Sequence, residues 1–197
     1  LYDPSEGRIL LDGHDLREYS LSDLRNAIGV IFQDFVRFQM LAEENIAVGK
    51  IDQLNSADVI KGAAQQSLAD EVIARLPNQY RQMLGKRFAG GVELSGGEWQ
   101  KIALSRAYMR NAQLLILDEP TAALDARAEY EVFQRFTHLT EGKTAVLISH
   151  RFSTVRMANR ILVLKKGQMV EIGSHEELLA NNGLYAELFH LQAKGYL

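Results

Sequence analysis

The sequence predicts an α/β fold with a mixed sheet and an inserted helical subdomain, on three observations. Short apolar runs without polar alternation, such as residues 114–117, are typical of parallel strands buried on both faces. Two runs near the C-terminus, separated by a Lys-Lys-Gly turn, indicate an antiparallel hairpin. Residues 35–106 show helical periodicity and no strand signal. We therefore expect a core of residues 1–34 and 107–197 with residues 35–106 as the helical subdomain.

Element boundaries follow from the ends of the apolar runs and from capping residues. Strands are predicted at residues 8–11, 28–32, 114–117, 144–149, 161–164 and 168–172. A helix is predicted over residues 56–76, where Ser67 and Asp70 form a capping box that restarts it before Pro77. Residues 175–192 predict two short amphipathic helices separated at Gly183.

Composition excludes several classes of protein before any motif is considered. The chain has 197 residues, is 47% hydrophobic and carries a formal charge of -3, without the basic excess typical of nucleic-acid binders. The absence of cysteine excludes a disulfide scaffold and thiolate metal sites, and it fits a reducing compartment such as the cytosol. No apolar stretch approaches the roughly 20 residues that cross a bilayer, and the first residues lack the pattern of a signal peptide.

The stretch LLILDEPTAALD places two adjacent carboxylates, Asp118 and Glu119, directly after a predicted buried strand. In open α/β sheets the crevice beyond the carboxyl ends of the strands is the usual ligand site. Two carboxylates there need a cation, water or donor to meet them. A solvated turn whose acids cap the next helix explains Asp-Glu-Pro alone equally well.

A second stretch, ELSGGEWQ, places Ser95, Gly96 and Gly97 immediately before a predicted helix. Unpaired backbone N–H groups, the helix dipole and small glycines make such a turn suitable for binding a phosphate. On its own the triplet is explained more simply by an ordinary N-cap serine.

Taken together, these stretches resemble the nucleotide-binding domain of ATP-binding cassette (ABC) proteins. LSGGE at residues 94–98 matches the family signature, LLILDE at residues 114–119 the Walker B strand, and residues 123–125 the D-loop. LISH ends at the switch histidine, His150, and IGVIFQ ends at the Q-loop glutamine, Gln33. The segments ENIAVG, SHRFSTV and GQMVEIGSHEEL are similar to the exporter type of the family.

The resemblance implies roles for the residues that follow the strands. Asp118 would hold Mg²⁺ through water, and Gln33 would touch both the metal and the attacking water. Glu119 would be the general base that orients and deprotonates this water. His150 would donate a hydrogen bond to the γ-phosphate of ATP.

The resemblance also implies a second half-site and a dimer. Ser95 and Gly97 would bind the γ-phosphate of a nucleotide held mainly by another nucleotide-binding domain. Gly96 and Glu98 belong to the same signature, and Asp125 belongs to the D-loop of the same composite ATP site. Catalysis would then be a property of a homodimer or heterodimer.

Residues 35–41 follow Gln33 at the place where family members contact the membrane domain. Phe35, Phe38, Met40 and Leu41 are therefore either core residues or a contact surface, and the sequence leaves both open. The implied function is ATP binding and hydrolysis that drives an exporter, at the cytoplasmic face of the cell membrane. Two alternatives are a soluble ABC ATPase acting on nucleic acid or ribosomes and a non-catalytic interaction fragment; no nucleic acid is expected as a partner.

One required motif is missing from the sequence. A phosphate loop reads G-x-x-x-x-G-K-[S/T] between a strand and a helix, because its backbone N–H groups and lysine cradle the phosphates. Gly142, Lys143 and Thr144 supply the ending, but Thr137 stands at the first glycine position and a strand follows. We therefore expect that the chain begins just downstream of its Walker A loop and that alone it is inactive.

Overall fold

The computed structural model describes residues 3–119 and 126–194, which contain seven strands and nine α-helices. The strands are β1 (Leu10–Leu11), β2 (His14–Asp15), β3 (Ile28–Ile31), β4 (Leu114–Asp118), β5 (Thr144–Ile148), β6 (Ile161–Lys165) and β7 (Gln168–Gly173). The helices are α1 (Leu21–Ala27), α2 (Ala42–Ala47), α3 (Ala57–Ser67), α4 (Ala69–Ala74), α5 (Gly96–Arg110), α6 (Ala126–Thr140), α7 (Phe152–Val155), α8 (His175–Ala180) and α9 (Leu184–Lys194).

Strands β3, β4 and β5 form a parallel sheet in that order. Strands β6 and β7 form an antiparallel hairpin, and β1 and β2 form a second antiparallel pair. The α/β class with both kinds of pairing is confirmed. Within the described part of the chain, however, the parallel and antiparallel pairs lie in separate sheets.

Two clusters of buried side chains meet along α5. Its N-terminal half contributes the fully buried Trp99 to a cluster with α2, α3 and α4. Its C-terminal half contributes Leu104 to a cluster that also contains Leu115 of β4 and Phe133 of α6. One helix therefore joins the helical part of the chain to the parallel sheet. The division at residues 35–106 stays a prediction.

Among the described residues, the parallel sheet is covered on one face only. Leu115 and Leu117 of β4 are buried against the helices, whereas the opposite face carries Val30, Ile116 and Val146 side by side in the strand register. Val30 and Val146 are 42% and 46% exposed. Parallel sheets are normally covered by helices on both faces, so this surface, which we call the bare face, lacks a layer among the described residues.

The predicted interruption of the helix over residues 56–76 is confirmed, but the predicted capping box at the restart is wrong. Leu68 adopts a left-handed conformation with φ 61°, which separates α3 from α4. This turn leaves Ser67 at the end of α3, where its hydroxyl donates to the carbonyl of Ala64 and accepts from the amide of Ala69. Asp70 instead accepts a 2.6 Å hydrogen bond from the hydroxyl of Tyr80. The break between the last two helices, which includes Gly183, is confirmed.

Candidate functional site

Three parallel strands deliver four predicted site residues to one edge of the sheet. Asp118 ends β4 and Glu119 follows it, while His150 lies two residues after β5 and Gln33 two residues after β3. The register pairs Ile31 with Leu117 and Leu117 with Leu147, so the three strands leave the sheet side by side. We call Gln33, Asp118, Glu119 and His150 the strand-end group.

Glu119 and His150 are in direct contact. Nδ1 of His150 lies 2.9 Å from Oε1 of Glu119, and the side chains are 66% and 24% exposed. Glu119 has a left-handed backbone with φ 43°, which is strained for a residue with a side chain. Its amide donates to the carbonyl of Ile148 at 2.9 Å, so β5 holds the turn in place. Strain of this kind is common at functional sites.

Asp118 differs from Glu119 in its surroundings. It is partly buried, and its carboxylate makes no hydrogen bond or ion pair with any described residue. The described residues also contain no group of three or more His, Asp or Glu side chains that could hold a metal by themselves. Mg²⁺ uses one or two carboxylates together with water and phosphate oxygens. The donor set at Asp118 therefore fits Mg²⁺ that arrives with a nucleotide.

The Ser-Gly-Gly turn opens α5 with a capping box. The hydroxyl of Ser95 accepts from the amide of Glu98 at 3.4 Å, and Oε2 of Glu98 accepts from the amide of Ser95 at 2.9 Å. Glu98 also lies 3.5 Å from Arg75. A Cβ placed on Gly96 would meet no described atom within 4 Å, so the space beside this glycine is open. The N-cap interpretation of Ser95 is therefore confirmed, and binding of an anion at the turn stays a prediction.

The structure does not bring the two groups of predicted site residues together. No hydrogen bond or ion pair among the described residues joins Ser95, Gly96, Gly97 or Glu98 to the strand-end group. Asp125, the remaining predicted site residue, lies outside the described residues.

Residues 35–41 lie between core and surface. Phe35, Phe38, Met40 and Leu41 are all partly buried, and Phe35 packs against the helical cluster. Their neighbour Val36 is 58% exposed. The two alternatives, core residues or a contact surface, therefore both stay open.

Sequence reasoning missed two polar residues that organise this region. Arg106 of α5 donates to the side chain and backbone of Asn45 and to the carbonyl of Val36. Burial lowers the pKa of Arg106 to about 10, so it remains protonated at neutral pH. A sequence signal was present, because helical spacing puts Asn45 on the same face of α2 as the apolar Ala42 and Ile46.

A third missed residue is Gln192 of α9. Its side chain accepts from the amide of Phe152 at 3.0 Å and donates to the carbonyl of His150 at 3.4 Å. The C-terminal helix thus contacts the loop that carries His150.

A parallel sheet flanked by helices, with carboxylates at the end of its central strand, defines an α/β protein of the class whose ligands usually bind at the carboxyl edge of the sheet. The model of the ABC transporter family matches residues 1–122. The chain therefore belongs to the ABC transporter family, as its motifs predicted.

The chain is similar to two transport proteins and to one exporter of known structure. The chain is 43% identical over 190 residues to an ATP-dependent lipid A-core flippase of Alcanivorax borkumensis, covering 96% of this chain and 32% of the flippase. It is 43% identical over 188 residues to the subtilin transport ATP-binding protein SpaT of Bacillus subtilis, covering 95% of this chain and 31% of that protein. A solved structure of a bacterial Atm1-family ABC exporter with ATP bound is 40% identical and superposes with a TM-score of 0.88, covering 98% of this chain and 33% of the exporter.

The chain thus spans about a third of the length of these relatives. Among the residues that the structure describes, no helix is both long and apolar enough to cross a membrane.

Proposed function

We propose that this chain is the greater part of an ATP-binding and ATP-hydrolysing domain that drives an exporter. The observation that carries the proposal is the strand-end group, where the Asp118 carboxylate, a second carboxylate and a histidine lie at one edge of a parallel sheet. The names of the relatives favour transport over the alternative of a soluble ATPase acting on nucleic acid or ribosomes.

Asp118 and Gln33 are the residues we assign to the metal. The Asp118 carboxylate has no partner among the described residues, and Gln33 is exposed at the end of the neighbouring strand. Bound Mg²⁺ would supply positive charge that neutralises the phosphates.

Glu119 is the residue we assign as general base. Its Oε1 lies against His150, which leaves Oε2 to accept a proton from water. His150 is the residue we assign to the γ-phosphate, and its contact with Glu119 sets its orientation.

Ser95 and Gly97 serve a nucleotide held by a second domain in this proposal, with Gly96 and Glu98 shaping the turn and Asp125 completing the composite site. The absence of any described contact between this turn and the strand-end group supports that arrangement. An open helix N-terminus suits a phosphate that approaches from another subunit.

The bare face and the free edge of β5 are where we place the helix and strand that would flank the phosphate loop that the sequence lacks. β5 pairs only with β4 among the described residues, and four of its five residues are exposed. A strand paired to this edge and a helix packed on the bare face would present a strand–loop–helix at the same carboxyl edge as Asp118.

We assign residues 35–41 as the surface that contacts a transmembrane domain. Val36 is exposed beside the half-buried Phe38, so this segment offers an apolar surface to a helix of a transmembrane domain. In this proposal the domain works at the cytoplasmic face of the membrane.

A chimera tests the proposal. This chain would replace the matching residues of the Atm1-family exporter, which would retain its own membrane domain and the rest of its ATP-binding domain. We expect the chimera to hydrolyse ATP and to transport the exporter's substrate. A folded chimera that binds ATP but never hydrolyses it would overturn the proposal.

A further inference from the structure

The guanidinium of Arg106 makes three hydrogen bonds to two other parts of the chain. Nε donates to the carbonyl of Asn45 at 3.0 Å and Nη2 donates to the Asn45 side chain at 3.0 Å. Nη1 donates to the carbonyl of Val36 at 2.8 Å. The Arg106 guanidinium also lies over the ring of Phe38, 4.9 Å from its centroid. One side chain of α5 thus contacts both α2 and the segment that follows Gln33.

Asn45 extends the same network into residues 35–41. Its side-chain amide donates to the carbonyls of Phe38, Met40 and Leu41 at 3.1, 3.2 and 3.1 Å. Asn45 is fully buried, and every polar atom of its side chain is used. The backbones of α2 and α5 also meet here, since a Cβ placed on Gly49 would overlap the carbonyl of Arg106.

All the acceptors of Arg106 are uncharged. No carboxylate among the described residues pairs with this guanidinium, although burial of a cation without a counterion costs free energy. Its planar fork of donors reaches acceptors on two segments at once, which a lysine ammonium cannot reproduce. The geometry is therefore specific to a guanidinium.

We propose that the Arg106–Asn45 bridge is a positioning device that makes residues 35–41 and helix α5 move as one body. Residues 35–41 begin two positions after Gln33, and Ser95 is the N-cap of α5. A displacement at one of these proposed ATP contacts is then carried to the other, and to the surface offered to the membrane domain. This inference rests on the proposed function for its consequence but not for its geometry.

Amide hydrogen exchange on the 197-residue chain tests the mechanical part. The amide of Leu41 is bonded to Glu44, and the amide of Leu84 is bonded to the carbonyl of Met40, so both report on the segment. In Arg106→Met and in Arg106→Lys we expect both amides to exchange at least about tenfold faster than in the unchanged chain. Amides of the β4–β5 ladder serve as the internal reference and should keep their rates.

Arg110→Met is the matched control. Arg110 lies on the same helix and donates to a backbone carbonyl, that of Ile28 at 3.1 Å, but among the described residues it makes no hydrogen bond to residues 35–41. We expect this variant to leave the exchange rates of Leu41 and Leu84 within about twofold of the unchanged chain. The inference would be overturned if both amides exchanged in Arg106→Met at the rates of the unchanged chain. It would also be overturned if they did so in Arg106→Lys.

The chimera tests the functional part through the amount of substrate transported per ATP hydrolysed. This ratio does not depend on how much of the protein is folded. We expect Arg106→Met to lower it at least about fivefold and Arg110→Met to leave it within about twofold. If the chimera is active and Arg106→Met leaves the amount of substrate transported per ATP unchanged, the inference is wrong and the proposed function stands. An unsubstituted chimera that hydrolyses no ATP removes the proposed function, and the functional part of the inference with it.

Discussion

The imidazole of His150 meets the carboxylate of Glu119 across the ends of two neighbouring strands, with 2.9 Å between Nδ1 and Oε1. An ionised carboxylate can only accept hydrogen bonds, so Nδ1 carries the proton in this contact. Nε2 of a neutral imidazole is then an acceptor and repels a phosphate oxygen. His150 can therefore hold Glu119 and a phosphate together only as the imidazolium, or it must exchange one partner for the other.

The role of Glu119 is tested by Glu119→Gln in the chimera. The amide oxygen of glutamine can still accept from Nδ1 of His150, so the local geometry is retained while the base is lost. We expect ATP turnover to fall by about 10²–10⁴-fold while ATP affinity changes little. Phosphate release and calorimetric ATP titration are the two measurements. Near-normal hydrolysis would place the base elsewhere, with His150 as the first residue to examine.

The missing phosphate loop predicts that the 197-residue chain alone binds Mg-ATP weakly or not at all. The loop lysine and amides make charge-assisted hydrogen bonds worth on the order of 1.5–3 kcal/mol each. We expect no saturation in a calorimetric titration up to about 1 mM ATP. Micromolar affinity for this chain would contradict the prediction.

Phe38→Ala tests the surface offered to the membrane domain. The substitution removes a ring that covers Arg106 but touches no assigned ATP contact. In the chimera we expect unchanged ATP affinity and less substrate transported per ATP hydrolysed. Phe88→Ala is the matched control, because Phe88 is 51% exposed and also lies below an arginine, Arg87, at 5.9 Å. Normal transport per ATP in Phe38→Ala would assign this ring to the core alone.

Ser95→Ala separates the capping role of this residue from its proposed contact with a nucleotide. Loss of an N-cap hydroxyl costs about 0.5–2 kcal/mol of stability, measured by urea unfolding of the chain. Ser174→Ala is the control, since Ser174 forms the same capping box at the start of α8. We expect both variants to lose stability, and only Ser95→Ala to slow ATP turnover in the chimera. Equal turnover in the two variants would limit Ser95 to capping.

The parts of the fold predicted correctly depend on local patterns. The run that ends at Asp118 and the break at Gly183 follow from residues that are adjacent in sequence. The contact between Glu119 and His150 joins positions 31 apart and depends on the register of β4 with β5, which no local pattern specifies.

The Arg106–Asn45 bridge lies beyond local reasoning for the same reason, since its residues are 61 positions apart. The error at Ser67 has a different cause. The spacing to Asp70 satisfied a local rule, but the left-handed turn at Leu68 directed Asp70 to Tyr80 instead. Tertiary packing overrode the local pattern there.

The bare face of the parallel sheet has a practical consequence for the isolated chain. Ile148 at 50% and Phe32 at 61% exposure extend the apolar surface of Val30 and Val146, and the adjoining edge of β5 presents unpaired backbone groups in the described structure. An exposed strand edge beside an apolar surface is a template on which other copies of a chain assemble. At high concentration the purified polypeptide is therefore expected to form oligomers and precipitate. Its colloidal behaviour thus depends on the strand and helix that we propose to cover this surface.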